Sequence, residues 1–229
     1  MVAPLIRIAD ASAWKKPMTH FRSAAVAALA VLFGSFPALA HPHVWVTVKS
    51  ELVYSPDGTI TGVRHAWTFD EMFSTFATQG IETKTKGEFT RDELKPLAEV
   101  NVTSLKEFGF FTFMKAAGKK MPLVDPVDYY LEFKDAMLTL NFTLPMQTPV
   151  QAPSLDIDVF DPDYFVDFSF AEKEPVALNG APAACKFNVV RPGAASAAAP
   201  TQPDESFFQK DSTTNYGAQF ANRILVRCP

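Results

Sequence analysis

Apolar and polar residues alternate along 43–54. Val44, Val46, Val48 and Leu52 fall on one face, and His43, Trp45, Thr47, Lys49 and Glu51 on the other. A period of two predicts a strand with one buried face. Ser55-Pro56-Asp57-Gly58 follows, a turn in which proline presets φ and glycine accepts a positive φ. Residues 59–70 read as the return strand of a β-hairpin. The expected register pairs Val44 with Phe69, Val46 with Trp67 and Val48 with His65. A slip of one residue would turn the apolar set outward. That register sets His43 opposite Asp70, with Cβ atoms about 5 Å apart.

The period then changes. Met72, Phe73 and Phe76 stand at helical spacing within 71–80, and a longer helical region is expected over 91–115. It opens on Thr90 and Glu93, the spacing of a capping box, and Pro96 is close enough to the start to be tolerated. Between the helices, Glu82 to Glu93 has the length of a calcium-binding EF-hand loop, with Gly87 at the sixth position and Glu93 at the twelfth. Lys84 and Lys86 stand where oxygen ligands are required, so the reading is a helix-loop-helix with a degenerate loop. Beyond residue 128 the pattern returns to strands, at 129–134, 137–144, 155–160, 164–170, 175–178, 185–190 and 224–228. The expected fold class is α+β: an N-terminal hairpin, a helix-loop-helix insertion, then β-sandwich-like strands.

The chain has 229 residues. Residues 18–40 carry a basic start ending at Arg22, an apolar run from Ala24 to Phe33 and a closing Ala38-Leu39-Ala40. This is the pattern of an export signal cleaved after Ala40, with Met18 as the better start. The expectation is therefore a leader over 1–40 and a single periplasmic domain over 41–229. No later run approaches the ~20 apolar residues of a membrane span, so the domain is not expected to be membrane-embedded. The leader takes with it Arg7, Lys15, Lys16, Arg22 and Asp10. From 21 basic and 25 acidic residues in all, this leaves a net charge of −7. Such a surface repels nucleic acid and tolerates cations. The two cysteines, Cys185 and Cys228, are expected to form a disulfide after export. Residues 191–206, rich in Ala, Pro and Ser, read as a flexible surface loop.

Cleavage after Ala40 would place a free amine on His41, with a second imidazole at His43. One amine and two imidazoles in three residues suit copper, nickel, cobalt and zinc. Pro42 has no amide N–H to lose, which rules out the square-planar site built on backbone amides. The amine and ring of His41 would chelate, with His43 and a carboxylate from Asp70 or Glu71 completing the set. His65 lies in the apolar row with Val63, Trp67 and Phe69 and is expected to be buried. Asp156, Asp158, Asp161, Asp163 and Asp167 cluster within twelve residues, and Asp161 stands at a strand end, where its carboxylate is expected to reach the metal site as a second-tier ligand with Glu71. There is no G-x-S-x-G, H-E-x-x-H, P-loop or Rossmann fingerprint, so an enzyme is not expected.

Several stretches together resemble a known family. They are HPHVWV from His41, WTFDEMFS from Trp67, LKPLA from Leu94, SLKEFGFFT from Ser104, LNFTLP from Leu140 and FDPDYFVD from Phe160. They resemble, in this order, the bacterial family known as domain of unknown function 1007. The resemblance covers nearly all of 41–229. It implies an exported component of an ABC-type transport system associated with nickel, cobalt or zinc. It maps the family's histidines onto His41 and His43, its acidic pair onto Asp70 and Glu71, and its Asp-Pro turn onto Asp161. The combined expectation is a periplasmic accessory protein that binds a divalent transition metal (Ni, Co, Zn or Cu) and serves an inner-membrane metal permease or ABC-type transporter. The alternatives are a metal-independent adaptor and a copper enzyme built on a histidine brace.

Overall fold

The computed structural model describes residues 42–193 and 216–229. The expected leader, His41 and residues 194–206 of the expected flexible loop lie outside them. The described residues belong to one compact unit. Its elements are β1 (Val44–Tyr54), β2 (Ile60–Phe69), α1 (Glu71–Ala77), α2 (Arg91–Leu105), β3 (Thr112–Ala116), β4 (Lys119–Met121), β5 (Val127–Lys134), β6 (Met137–Val150), β7 (Ser154–Val159), β8 (Val166–Phe170), β9 (Val176–Asn179), β10 (Lys186–Val190) and β11 (Asn222–Arg227). The first sheet runs β5-β6-β2-β1-β8, with β9 also on β1. The second runs β10-β11-β7-β3-β4.

Two sheets around one core carry the domain, and the α+β expectation with a helix-loop-helix insertion is overturned. The segment between β2 and β3 does hold α1 and α2, but they do not pair. α1 packs on β6 and α2 on β5. Each helix covers sheet rather than its neighbour, because the apolar surface on offer belongs to the sheet. The loop between them is held by Glu93, whose carboxylate accepts from the N–H of Thr90 (2.8 Å), the Thr90 hydroxyl (2.7 Å) and the N–H of Lys84 (3.0 Å). The capping box is present.

α2 ends at Leu105, ten residues before the expected limit. After it the backbone turns left-handed over Gly109 (φ 58), Phe110 (φ 54) and Phe111 (φ 47), then enters β3. Phe110 and Phe111 are buried there. Burial between the sheets decides the backbone here.

The hairpin forms with its register shifted by two residues. Val46 pairs with Phe69, Val48 with Trp67 and Ser50 with His65. The turn takes in Thr59, whose N–H donates to Asp57 Oδ1 (3.0 Å) and whose carbonyl accepts from Ser55 N–H (2.9 Å). Beyond it Tyr54 pairs with Ile60 but Val53 with Gly62, so Thr61 is an extra residue. One residue in the turn and one in the bulge add to an even shift, which keeps every side chain on its intended face. Gly62 allows β6 to approach, since a Cβ there would stand 2.4 Å from the Leu144 carbonyl oxygen.

The inward rows of both sheets form one apolar cluster containing Val48, Leu52, Trp67, Leu140 and Phe142 from the first sheet and Ile157, Ile224 and Val226 from the second. The Trp67 ring meets Phe142 edge-on at 4.8 Å and Phe168 at 4.9 Å. Each such fully buried side chain contributes about 1.5–3 kcal/mol. His65 is fully buried among them, as expected. Its Nδ1 lies 2.9 Å from Ser50 Oγ and its Nε2 3.3 Å from Thr112 Oγ1. The Thr112 hydroxyl donates to the Phe110 carbonyl (2.8 Å), so its oxygen is left to accept from His65 Nε2–H. Ser50 then donates to Nδ1. This neutral chain joins β1 and β2 of one sheet to β3 of the other.

Cys185 and Cys228 are bonded, with Cα atoms 4.2 Å apart. They flank the β10–β11 pair, in which Lys186 faces Arg227. The loop so closed spans 43 residues. On the chain-entropy account, reduction lowers stability by about 4 kcal/mol, which urea unfolding with and without a reductant measures.

Burial holds the folded pKa of His65 down to about 3, against 6.5 unperturbed. Above pH 6.5 the ring is neutral in both states and its ionisation leaves stability unchanged. Between pH 6.5 and 3 only the unfolded chain takes up the proton, so stability falls with pH by about 1.4 kcal/mol per unit. The urea midpoint of the His65→Gln variant is expected to lack that component of the acid slope.

Candidate functional site

The His-bearing start of β1 enters between the end of β2 and the start of β8. The His43 N–H donates to the Phe165 carbonyl (2.9 Å), and the exposed His43 ring stacks on Phe165 at 6.2 Å. Two residues on, the Trp45 N–H donates to Asp70 Oδ2 (3.0 Å), and the Asp70 N–H returns a bond to the Trp45 carbonyl (3.0 Å).

Asp70 therefore stands beside Trp45 and not opposite His43. The two-residue shift in register is the reason. Its other oxygen, Oδ1, accepts from Phe73 N–H (2.8 Å) and caps α1. A β-end that becomes a helix start needs an acceptor at this position, and Asp70 supplies it while also holding β1. Glu71 follows, exposed in the first turn of α1.

Asp161 is buried to 4%. Its Oδ1 accepts from Asp163 N–H (2.9 Å), and its Oδ2 from Phe165 N–H (2.8 Å) and Val166 N–H (3.0 Å). Its carbonyl accepts from Tyr164 N–H (3.1 Å), and the Pro162 carbonyl from Gly217 N–H (2.9 Å). A Cβ on Gly217 would stand 1.7 Å from the Asp161 carbonyl oxygen, so only glycine fits. This tightly bonded turn carries the chain from β7 in the second sheet to β8 in the first. Phe165, aimed by Asp161, is the residue that receives His43.

The site residues expected from the sequence thus divide. The segments bearing His43, Asp70, Glu71 and Asp161 meet at one end of the domain. The carboxylates of Asp70 and Asp161 turn onto backbone N–H groups. Among the described residues no group of three or more His, Cys, Asp or Glu side chains could hold a metal ion. Glu71 and His43 are exposed, and His41 lies outside the described residues.

Asp167 joins this end as well. It pairs in register with Trp45 across the parallel β1–β8 ladder, and burial raises its carboxyl pKa. Tyr164 lies over Phe220, with ring centres 3.9 Å apart. Burial, and then Asp167 and Tyr216, push the Tyr164 hydroxyl up to about 12. Asp167 is visible in the sequence only as one of five clustered acids. Its placement depends on a parallel pairing between strands more than a hundred residues apart, which no local pattern reveals.

The fold and this end define a two-sheet β domain with a pinned N-terminal histidine strand. The chain belongs to the family described as "Protein of unknown function (DUF1007)", whose model matches residues 26–228. An uncharacterized protein of Haemophilus influenzae is 24% identical over 201 residues, covering 86% of this chain and 95% of that protein. An uncharacterized 15.5 kDa protein from Spirochaeta aurantia is 28% identical over 93 residues, 40% of this chain and 66% of that one. Among solved structures, an acetylcholine-binding protein of Biomphalaria glabrata matches at 11% identity with a TM-score of 0.30, covering 91% of this chain and 99% of that one. Among the described residues no helix is long and apolar enough to cross a membrane.

Asp161→Ala leaves three N–H groups without their acceptor and is expected to cost roughly 3 kcal/mol, with Asp161→Asn intermediate. Thermal or urea unfolding reads the difference, and an unchanged midpoint would remove Asp161 as organiser of the turn.

Proposed function

We propose that this protein is an exported metal-binding accessory of a transition-metal transport system. The donors are nitrogens of the His41-Pro42-His43 arm, with the new amine freed by cleavage after Ala40. Asp70 and Asp161 are positioning residues: one ties β1 to α1, and the other aims Phe165 at the His43 backbone. Glu71 and Asp167 supply negative charge around the arm, which favours a divalent cation.

The observation that carries this reading is the anchoring of His43 by Phe165. It holds the backbone of the second histidine at the end of an interior strand, where a preorganised chelate loses less entropy on binding. The cargo class is nickel, cobalt, zinc or copper, since imidazole and amine donors suit all four. The site is in the periplasm, and the recipient is an inner-membrane metal permease or ABC-type transporter.

Trp45 (46% exposed), Phe165 (46%), Met72 (66%) and Phe76 (71%) belong to the elements that meet here. Large exposed apolar side chains of this kind mark contact surfaces. They favour a second reading, in which the same end is an adaptor face and binds its partner with or without metal.

Calorimetric titration of Ni2+, Co2+, Zn2+ and Cu2+ into the chain beginning at His41 separates these readings. His43→Ala is expected to weaken the preferred metal by about tenfold or more, the equivalent of 1.4 kcal/mol. An extra alanine ahead of His41 is expected to do the same. Asp70→Asn should lower the melting temperature and leave the affinity unchanged. Equal affinities for the wild type and a His41→Ala, His43→Ala double variant would sink the metal reading and leave the adaptor.

A further inference from the structure

The acids at the histidine end differ in what engages them. Both carboxylate oxygens of Asp70 and both of Asp161 accept from backbone N–H groups. Glu71 and Asp163 are exposed. Asp167 is half-buried on β8. Among the described residues its carboxylate makes no hydrogen bond and no ion pair, and burial alone acts on it. A carboxylate drawn partly out of water without a donor or a cation costs free energy. The fold itself gains nothing from this charge.

The position of Asp167 gives that charge a use. β8 runs parallel to β1, and Asp167 pairs in register with Trp45. The next residues along the two strands, Val46 and Phe168, are each 2% exposed. Trp45 and Asp167 therefore share the outward face of the sheet. Exposed Phe165 precedes Asp167 by two residues, and exposed His43 precedes Trp45 by two. The His43 ring stacks on Phe165. These four residues are the corners of one outward patch, with His43 and Asp167 on its diagonal.

One strand spacing and two residues of rise separate the backbones of His43 and Asp167, about 8 Å in all. An imidazole and a carboxylate cover such a gap from opposite sides of one ion, with metal–ligand bonds of about 2.0–2.2 Å. Trp45 and Phe165, at the other two corners, offer no competing ligand.

We infer that Asp167 is the oxygen ligand of the metal site and completes the nitrogen donors of the His41-Pro42-His43 arm. The inference rests on the metal reading above and gives Asp167 the carboxylate role that the sequence assigned to Asp70. It also narrows the cargo. Imidazole, amine and carboxylate together suit divalent zinc, cobalt and nickel, whereas Cu+ prefers soft sulfur ligands and gains little from a carboxylate. Asp167 thus favours the divalent ions over Cu+.

The test uses the chain beginning at His41, labelled with 13C at its aspartate carboxyls and titrated with Zn2+ under NMR observation. Signals are assigned from Asp161→Asn and Asp167→Asn variants. Zn2+ is expected to move the Asp167 signal and leave that of Asp161 in place. Asp167→Asn is expected to weaken Zn2+ and Co2+ by about tenfold or more and to change the visible absorption of bound Co2+. Its Cu+ affinity should change by less than about twofold. Its metal-free melting temperature should not fall, because the fold makes no bond to this carboxylate. A static Asp167 signal, or unchanged Zn2+ affinity in Asp167→Asn, would overturn the ligand assignment; if His43→Ala still weakens the metal, the metal reading stands without it. Equal losses for Cu+ and Zn2+ would also overturn it, since a structural role does not distinguish the two ions. A wild type that binds no Zn2+ would remove both.

Discussion

A carboxylate that is 4% exposed must either lose its charge or be met by donors. At Asp161 the donors are three N–H groups of its own turn, at 2.8 to 3.0 Å. Satisfying that charge folds residues 161–166 into one shape. The shape is what lets the chain step from β7 of one sheet to β8 of the other. β8 then lies parallel to β1 from Val44 to Val48, and the Phe165 carbonyl anchors His43. Gly217 seals the turn from outside, because any side chain there would collide with the Asp161 carbonyl. The connection between the sheets and the candidate site depend on the same buried charge.

That constraint explains why the carboxylates of Asp70 and Asp161 are both met by backbone N–H groups. Asp70 and Asp161 look like metal donors in the sequence, since both stand beside histidine-bearing or turn-forming segments. Each instead satisfies backbone groups at a change of structure: Asp70 where strand becomes helix, Asp161 where one sheet becomes the other. Asp prefers such places for the same reason that it prefers metals, a compact pair of acceptor oxygens. Sequence alone cannot say whether a cation or an amide N–H will occupy them.

The two misread segments have different physical causes. In the first hairpin the strands and faces were legible, but the pairing was two residues out. A turn residue and a bulge each added one, and burial tolerates even shifts. In the stretch after Leu105, the helix expected to run to 115 gives way to a turn rich in phenylalanine. Burial of Phe110 and Phe111 between the sheets overrides local preference, and Gly109 opens the left-handed path that takes them there. The helices of the 71–105 segment were legible one at a time. Their pairing was not, because each found the sheet to be the larger apolar surface.

By itself the sequence determined most strands, their buried faces, the capping box at Thr90 and Glu93, the buried His65, the Cys185–Cys228 bond and the family. The family rests on the resemblance of its motif stretches; the others follow from period, local capping chemistry or the presence of only two thiols. Only the tertiary structure decided that the domain is a two-sheet β fold, that β1 is flanked by β8 and β9 in parallel, and that Asp167 joins the histidine end. It also set the Asp70 and Asp161 carboxylates against backbone N–H groups. These outcomes depend on pairings between residues far apart in the chain, where the energy comes from shared burial and completed hydrogen bonds and leaves no local periodic trace.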